Sequence, residues 1–302
     1  MRNPITLEAM HILDAIDRRG SFAAAANELD RAPSSLSYQI QKLEQDLDVT
    51  IFDRSGHKAR FTEAGKLILE RGRMILAATE KLVNDASVLA NGWELDITIA
   101  FDGILSIEHF FPMVQQLGNV SSTRIRLQEE ILAGCWEALG DGRADLLVCP
   151  KPESIPQDVK TQPIGSMTMV WVAAPDHYVH KRNGAFDDNA RAKYRVIAIA
   201  DSAREQPAIT VNILQKQPTL TVTNFAAKIA ALKSGLGIGT LPITVAGPLI
   251  EQGALAKISD TQDISIEILL AWKRNQMGEA KSWCIQYLKK NWLNTTGVLT
   301  AH

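Results

Sequence analysis

Between Ser34 and Gln41 the chain places Ser34, Ser35, Ser37, Tyr38, Gln39 and Gln41 around Leu36 and Ile40. Hydroxyl and amide side chains of this reach bond phosphate oxygens and base edges directionally, whereas a lysine attracts any anion. Solvated helix faces usually carry Glu and Lys, and here Lys42, Glu44 and Asp46 come only after this run. Farther on, Arg54, Lys58 and Arg60 flank a Ser55-Gly56 turn signal. Cations laid over a phosphate backbone release its condensed counterions, and Arg31 is placed to assist. This is the chemistry of a duplex nucleic-acid interface.

The elements that must hold these groups are legible. Ile5, Leu7, Met10, Leu13, Ala15 and Ile16 recur at three- and four-residue intervals and predict an amphipathic helix ended by Gly20. Ser21 can cap a second helix, Phe22 to Leu29, whose Ala23–Ala26 run permits close packing. After Asp30-Arg31-Ala32, Pro33 or Ser34 opens a third helix with Leu36, Ile40, Leu43 and Leu47 as its buried stripe. Helix, tight turn and helix make a helix-turn-helix, whose second helix enters the major groove. Val49 to Phe52 and the residues around Phe61 then predict a hairpin.

Charge does not announce such a partner. The 302 residues carry 32 Lys and Arg against 34 Asp and Glu. Residues 1–63 alone hold 8 basic and 10 acidic side chains, so binding must rest on where the cations sit. With 46% apolar residues, a disordered chain is excluded. No run of about 18 apolar residues suggests a membrane span, and the start lacks a secretion signal's apolar stretch. Cys135, Cys149 and Cys284 make no disulfide framework, and His177 with His180 lacks a third zinc ligand. A soluble, cytoplasmic protein of two or three domains is expected, without metal, cofactor or membrane partner.

Thr62 can cap a helix reaching about Ala90, with Ile68, Ile75, Ala78, Leu82 and Leu89 as its stripe and Leu67, Met74, Val83 and Ala86 widening it. About 27 residues at roughly 1.5 Å each make a rod of about 40 Å. Such a rod needs a partner, either a second copy of itself or its own C-terminal domain. From Trp93 onward strands and helices alternate: strands at Leu95–Phe101, Arg124–Gln128, Asp145–Cys149, Met169–Ala173, Arg195–Ile199, Leu220–Thr223, Ile238–Leu241 and Ile264–Trp272; helices at Ile107–Leu117, Leu132–Leu139, Ala226–Ser234 and Glu279–Trp292. This predicts an α/β domain with a mainly parallel sheet. The glycines of Gly235-Leu236-Gly237-Ile238-Gly239 lie between helix and strand, the wrong context for a dinucleotide fingerprint. No nucleophile–base pair can be assembled, so no enzyme is expected.

The run Gly20-Ser21-Phe22-Ala23-Ala24-Ala25-Ala26-Asn27-Glu28-Leu29, followed by Ser34-Ser35-Leu36-Ser37-Tyr38-Gln39-Ile40-Gln41-Lys42-Leu43-Glu44, resembles the winged helix-turn-helix of LysR-type transcriptional regulators. Leu47 to Arg54 and Phe61-Thr62-Glu63-Ala64-Gly65 continue the likeness. The chain departs from the family in two places. Ala32-Pro33-Ser34 replaces the frequent Ser/Thr-Gln-Pro, and Tyr38 stands where Arg or His is frequent, so an operator preference does not carry over.

The resemblance implies a winged helix-turn-helix domain over 1–62, a long linker helix over 63–91 and a two-lobed effector domain over 92–302. That domain would be α/β and like periplasmic solute-binding proteins, with lobe 1 at about 92–164 and 270–295 and lobe 2 at about 165–269. The crossings between lobes fall near Pro163 to Thr168 and Ile268 to Ala271. Ligands of such sheets bind beyond the carboxyl ends of strands. That rule nominates Phe101, Asp102, Gly103, Ile131, Pro150, Asp201, Ser202, Thr223, Asn224 and Thr240 for a polar or anionic effector. The implied partners are a pseudo-palindromic DNA operator, a small-molecule effector, further copies as homodimer or homotetramer, and RNA polymerase if the protein activates. A rival reading is an enzyme or solute-binding module carrying an incidental helix-turn-helix.

Overall fold

The computed structural model describes residues 4–53, 59–274 and 277–296, the last four in backbone only. The chain divides into two compact units, Met1–Ala86 and Ser87–His302.

The first unit begins with α1, Leu7–Arg19, whose N-terminus is closed by the Ala9 N–H donating to Thr6 Oγ1 at 3.1 Å. Gly20 ends it in the left-handed region at φ 71°, a conformation glycine takes without steric cost. Ser21 caps α2, Phe22–Glu28, and Pro33 occupies the first turn of α3, Pro33–Leu47. Met10, Ile12, Leu13, Ile16, Ala25, Ala26, Leu36, Ile40 and Leu43 form the core, closed below by Ile51 and Phe52. Both central alanines of α2 are fully buried, so their small size lets α2 pack closely. Ile5 and Leu7, expected in the α1 stripe, are exposed. Ile5 lies ahead of the Thr6 cap, and Ala9 and Ile12 take the buried places instead.

A short antiparallel pair, β1 Phe52–Asp53 and β2 Arg60–Phe61, joins Phe52 to Phe61 and Asp53 to Arg60. The turn expected at Ser55-Gly56 lies outside the described residues. α4 follows over Glu63–Asn91, with Thr62 Oγ1 accepting from the Gly65 N–H at 3.0 Å. Its buried positions are Gly65, Leu69, Gly72 and Leu76, at steps of four, three and four. A Cβ at Gly65 would stand 2.2 Å from the Ile51 carbonyl oxygen, and one at Gly72 2.5 Å from Met10 Sδ. Glycine is therefore what lets α4 approach the head. Leu67, Met74, Ile75, Leu82, Val83 and Leu89, expected on the apolar stripe that needs a partner, are exposed. The helix docks by its narrow glycine face and leaves the broad apolar face uncovered.

The second unit contains β3 Asp96–Asp102, a 3₁₀ turn at Ile107–Phe110, α5 Phe111–Leu117, β4 Arg124–Glu130, α6 Ala133–Gly140, β5 Leu146–Pro150, β6 Val159–Ala173 and a second 3₁₀ turn at Tyr178–Lys181. There follow α7 Asp188–Arg191, β7 Val196–Ile199, β8 Thr219–Val222, α8 Phe225–Lys233, β9 Gly239–Pro242, α9 Ile243–Glu251, β10 Ala256–Lys257, β11 Ile264–Lys273 and α10 Glu279–Thr296. Among the described residues, one sheet runs β10-β6-β11-β5-β3-β4 with β9 also on β6, and β7 pairs with β8 separately.

β3 is parallel to β4 and β5, and β7 to β8, but β11 is antiparallel to both β5 and β6. The expected mainly parallel sheet is thus mixed. β6 leads the chain away from the β3, β4 and β5 strands and β11 brings it back beside β5, so these neighbours run in opposite directions. Their register slips between Ile268 and Leu269, opposite Gly165 and Pro163. Proline has no N–H for the ladder and is accommodated at such irregularities.

Side chains alternate across the sheet with period two. Ile97, Ile99 and Phe101 pack with Phe110, Met113, Leu117, Leu288 and Trp292. Ala100, Leu147 and Cys149 face the opposite way, toward Cys135, Ala138 and Leu139. Toward the end of β6, Val170 and Val172 pack with Ile197, Leu232, Leu241 and Leu255, while Trp171 and Ala173 pack with Tyr194 and Ile258. α9 and β10 carry no prediction from sequence; Pro248 inside α9 breaks the helical signal.

Candidate nucleic-acid interface and ligand cleft

On α3, Leu36, Ile40 and Leu43 face the core, so the intervening side chains must face away. Ser34 is exposed, Tyr38 is 67% exposed, and Ser35, Ser37 and Gln39 are half-buried. The polar face is not idle. Ser37 Oγ donates to the Pro33 carbonyl at 3.0 Å, an i−4 back-bond within its own helix. Gln39 Nε2 donates to Glu8 Oε1 at 3.0 Å, and the Arg31 guanidinium pairs with the same oxygen. These two partners, Gln39 first, hold the Glu8 carboxyl below its ordinary pKa. Glu8 therefore orients two of the expected contact residues, a role that a helix-spacer position in the sequence did not signal.

Arg60 is exposed on β2 opposite Asp53; Arg54 and Lys58 lie outside the described residues. Glu44 Oε1 accepts from the Ile51 and Phe52 N–H groups at 2.7 and 3.0 Å, tying α3 to the strand of the hairpin. Other arginines are committed within the head. Arg18 bonds Asp14 at 2.8 Å and Glu28 at 2.5 Å, Arg19 pairs with Glu28, and Arg73 bonds Asp14 at 2.7 Å and Asp17 at 2.8 Å. Hydrogen bonds from Arg18 and Arg19 pull the Glu28 carboxyl down to about 2.

In the second unit, a cavity of about 160 Å³ opens beyond the ends of β3 and β5. Of the expected residues, Asp102, Gly103, Ile131, Pro150 and Thr240 line it. The other five do not. Phe101 is core, its ring 5.1 Å from that of Phe110, because β3 alternation turns it to the helical face. Asp201 accepts from the Gly134 and Ala133 N–H groups at 3.1 and 3.3 Å. Ser202 Oγ accepts from the Ile131 N–H at 2.8 Å and donates to Glu130. Asn224 caps α8 by accepting from the Ala227 N–H at 2.9 Å, and Thr223 is exposed just before it.

Asp201 and Ser202 therefore clasp the loop after β7 to the start of α6. Gly134 makes this approach possible, since a Cβ there would lie 1.9 Å from Ser202 Oγ. Glu137, buried on α6, extends the clasp by accepting from the backbone N–H groups of Arg204, Glu205 and Gln206. Burial alone would raise its pKa, but these donors, with Arg143 nearby, hold it below the usual value.

The cavity walls are mostly apolar: Ile104, Ile131, Leu132, Met169, Phe225 and Ile266. Asp102, at the end of β3, accepts from the Ile104 N–H at 3.0 Å, the Leu132 N–H at 3.2 Å and Cys135 Sγ at 3.5 Å. Burial raises its pKa. Leu132 sits at φ 54° and ψ −119°, a strained conformation of the kind that clusters at ligand sites, and Asp102 braces it. Lys228 of α8 also lines the cavity, and its ammonium was not anticipated. The signal was present: Lys228 is a lone charge inside Phe225-Ala226-Ala227-Lys228-Ile229-Ala230-Ala231.

The remaining candidates have local explanations. All three cysteines are buried and unpaired, and burial raises their thiol pKa values. His177 caps a 3₁₀ turn through its Nδ1, and His180 Nε2 lies 3.1 Å from the Ala174 carbonyl. The 235–239 turn is tight, with a Cβ at Gly237 falling 2.3 Å from the Arg195 carbonyl oxygen. Among the described residues, no cluster has metal-ligand composition, and no helix is long and apolar enough to cross a membrane.

Comparison with known proteins matches residues 7–66 to the family model for bacterial regulatory helix-turn-helix proteins of the lysR family. Residues 90–293 match the LysR substrate binding domain. The HTH-type transcriptional regulator YhaJ of Escherichia coli O157:H7 is 46% identical over 287 residues, covering 95% of this chain and 96% of that protein. PunR of Escherichia coli K12, also an HTH-type transcriptional regulator, is 28% identical over 295 residues, covering 94% and 95%. Full-length LysG from Corynebacterium glutamicum with bound effector arginine is similar in fold, with a TM-score of 0.51 at 20% identity over 96% of this chain and 99% of that one. The Vibrio cholerae virulence activator AphB gives 0.54 at 16% identity over 94% and 98%.

Proposed function

The chain belongs to the LysR family of transcriptional regulators, with a DNA-binding helix-turn-helix and a substrate-binding domain, and from that premise we propose how it reads DNA and senses a ligand. α3 enters the major groove and offers Ser34, Ser35, Ser37, Tyr38 and Gln39 to base edges and phosphates. Arg60, with Arg31 and the sequence neighbours Arg54 and Lys58, holds the backbone. The observation that carries this reading is the division of α3 into a core-facing stripe and an outward polar ridge crowned by Tyr38.

We assign residues 1–62 to the DNA-binding domain, 63–91 to the linker helix and 92–302 to the effector domain. The uncovered leucine face of α4 pairs two copies, so two recognition helices meet two half-sites of a pseudo-palindromic operator. The effector occupies the cavity at the β3 and β5 ends. It shifts the regulator only through different affinity for the alternative lobe arrangements, since equal affinity moves no equilibrium.

The test is binding to the protein's own promoter region, measured against salt and competitor DNA. Replacing Arg31 and Arg60 with Ala lowers affinity for all sequences and reduces the salt slope by about 1 for each phosphate no longer neutralised. Tyr38→Ala narrows the gap between promoter and competitor DNA. A wild-type protein with no preference for any promoter fragment would falsify the reading.

A further inference from the structure

The effector cavity holds one charge that no described residue answers. Its titratable lining residues are Asp102 and Lys228. Asp102 is fully engaged by two backbone N–H groups and the Cys135 thiol. Among the described residues, Lys228 has neither a hydrogen bond nor an ion pair from its ammonium. The lining residues that the other elements bring to the cavity carry no carboxylate besides Asp102: Ala198 and Ile199 from β7, Thr210, Val211 and Asn212 from the following loop, Phe225 from α8 and Thr240 from β9.

The lysine is built in. Its stem runs over Gly239 of β9, where an added Cβ would stand 3.2 Å from Lys228 Cε and 3.3 Å from Leu232 Cδ2. The missing side chain at Gly239 is thus the space that carries the ammonium toward the cavity. A half-buried cation without a partner is partly stripped of water, which favours its neutral form. Accordingly, desolvation lowers the Lys228 pKa to about 8. An anion in the cavity would remove that penalty.

We propose that the effector is a small organic monocarboxylate with an apolar body, its carboxylate seated on the Lys228 ammonium. The inference deepens the effector reading above and rests on it. The single cation selects one negative charge, because a second carboxylate would find Asp102 and no further lysine or arginine on the lining. A phosphate dianion would find one cation for its two charges, with Asp102 also on the lining, whereas the apolar walls suit a hydrocarbon body. The volume, about 160 Å³, compares with the roughly 150 Å³ apolar cavity that accepts benzene. The body is therefore one ring or a short branched chain.

The experiment titrates full-length protein calorimetrically at pH 7 with two matched pairs, benzoate against benzamide and 4-methylpentanoate against 4-methylpentanamide. In the wild type, at least one acid binds about tenfold or more tightly than its amide, as expected for a charge-assisted hydrogen bond. Lys228→Met keeps the stem's volume and abolishes that preference, while Lys228→Arg retains part of it. Unchanged circular dichroism and an unchanged cooperative thermal transition confirm that the Met variant is folded. The acid's affinity falls as pH rises through about 8 in the wild type and stays flat in Lys228→Met, which keeps Asp102 as an internal control.

Equal binding of acid and amide by the wild type overturns the proposal, as does a preference that survives Lys228→Met. Amides that bind as tightly as their acids in both proteins sink the carboxylate yet leave the cavity as the effector site. If no member of either pair binds, the proposal and that site both fall, independently of the DNA-binding result.

Discussion

The head and the second unit use different partners for most of the carboxylates that join their segments. In the head, carboxylates meet arginines near the surface: Asp14 with Arg18 and Arg73, and Glu28 with Arg18 and Arg19. In the second unit, three carboxylates that join distant segments meet backbone N–H groups instead. Glu137 holds the 204–206 backbone, Asp201 holds the start of α6, and Glu94 accepts from Gly278, Ala280 and Lys281 at the start of α10. Exposed pairs are individually weak and screened by salt, whereas buried acceptors left without donors, or donors without acceptors, cost far more. The same contrast extends to the proposed ligands. A polyanion is met by several exposed cations, and a small anion by one half-buried one.

The strongest challenge to this contrast is Glu137→Ala. It strands the N–H groups of Arg204, Glu205 and Gln206 and removes a partner of Arg143, so unfolding in urea should show a loss of about 3–5 kcal/mol. A loss below about 1 kcal/mol would mean that water replaces the carboxylate and that the interior distinction is false. Asp201→Ala comes next, with an expected loss of about 1–2 kcal/mol as an N-terminal cap is deleted. Its hydrogen-exchange signature should be faster opening at Ala133 and Gly134.

The smallest effect belongs to Glu28. Because its pKa is depressed, its stabilisation is complete above the ordinary value of 4.5 and is lost as pH falls toward about 2. In Glu28→Gln, exchange of α1 and α2 amides should lose part of its acid dependence in that window, and salt should shrink the difference between variant and wild type. An unchanged acid dependence would remove Glu28 from the comparison.

Elements were legible wherever local chemistry and core packing agreed. Thr62 and Ser21 caps, the Gly20 stop, Pro33 at the start of α3 and the Leu36-Ile40-Leu43 stripe all stand as their residue types dictate. The amphipathic reading of α4 found the apolar face but not which face the head covers. Close approach depends on Gly65 and Gly72, and a hydrophobic pattern does not register side chains that are absent. The cavity was legible by half for a related reason. The ends of β3 and β5 are local facts, and Asp102, Gly103, Ile131, Pro150 and Thr240 follow from them. Whether Asp201, Ser202 and Asn224 face ligand or backbone depends on which N–H groups arrive from elsewhere in the chain.

Sequence alone settled most of the order of elements, the family and the polar ridge of α3, because helical periodicity, caps and turn residues act over a few neighbours. Tertiary structure alone decided that the leucine face of α4 stays open, that Asp201 and Glu137 close a clasp, and that Lys228 crosses Gly239 into an apolar cavity. Those outcomes depend on residues distant in the chain meeting in space. Their energy comes from excluding water between them, which no local window of sequence contains.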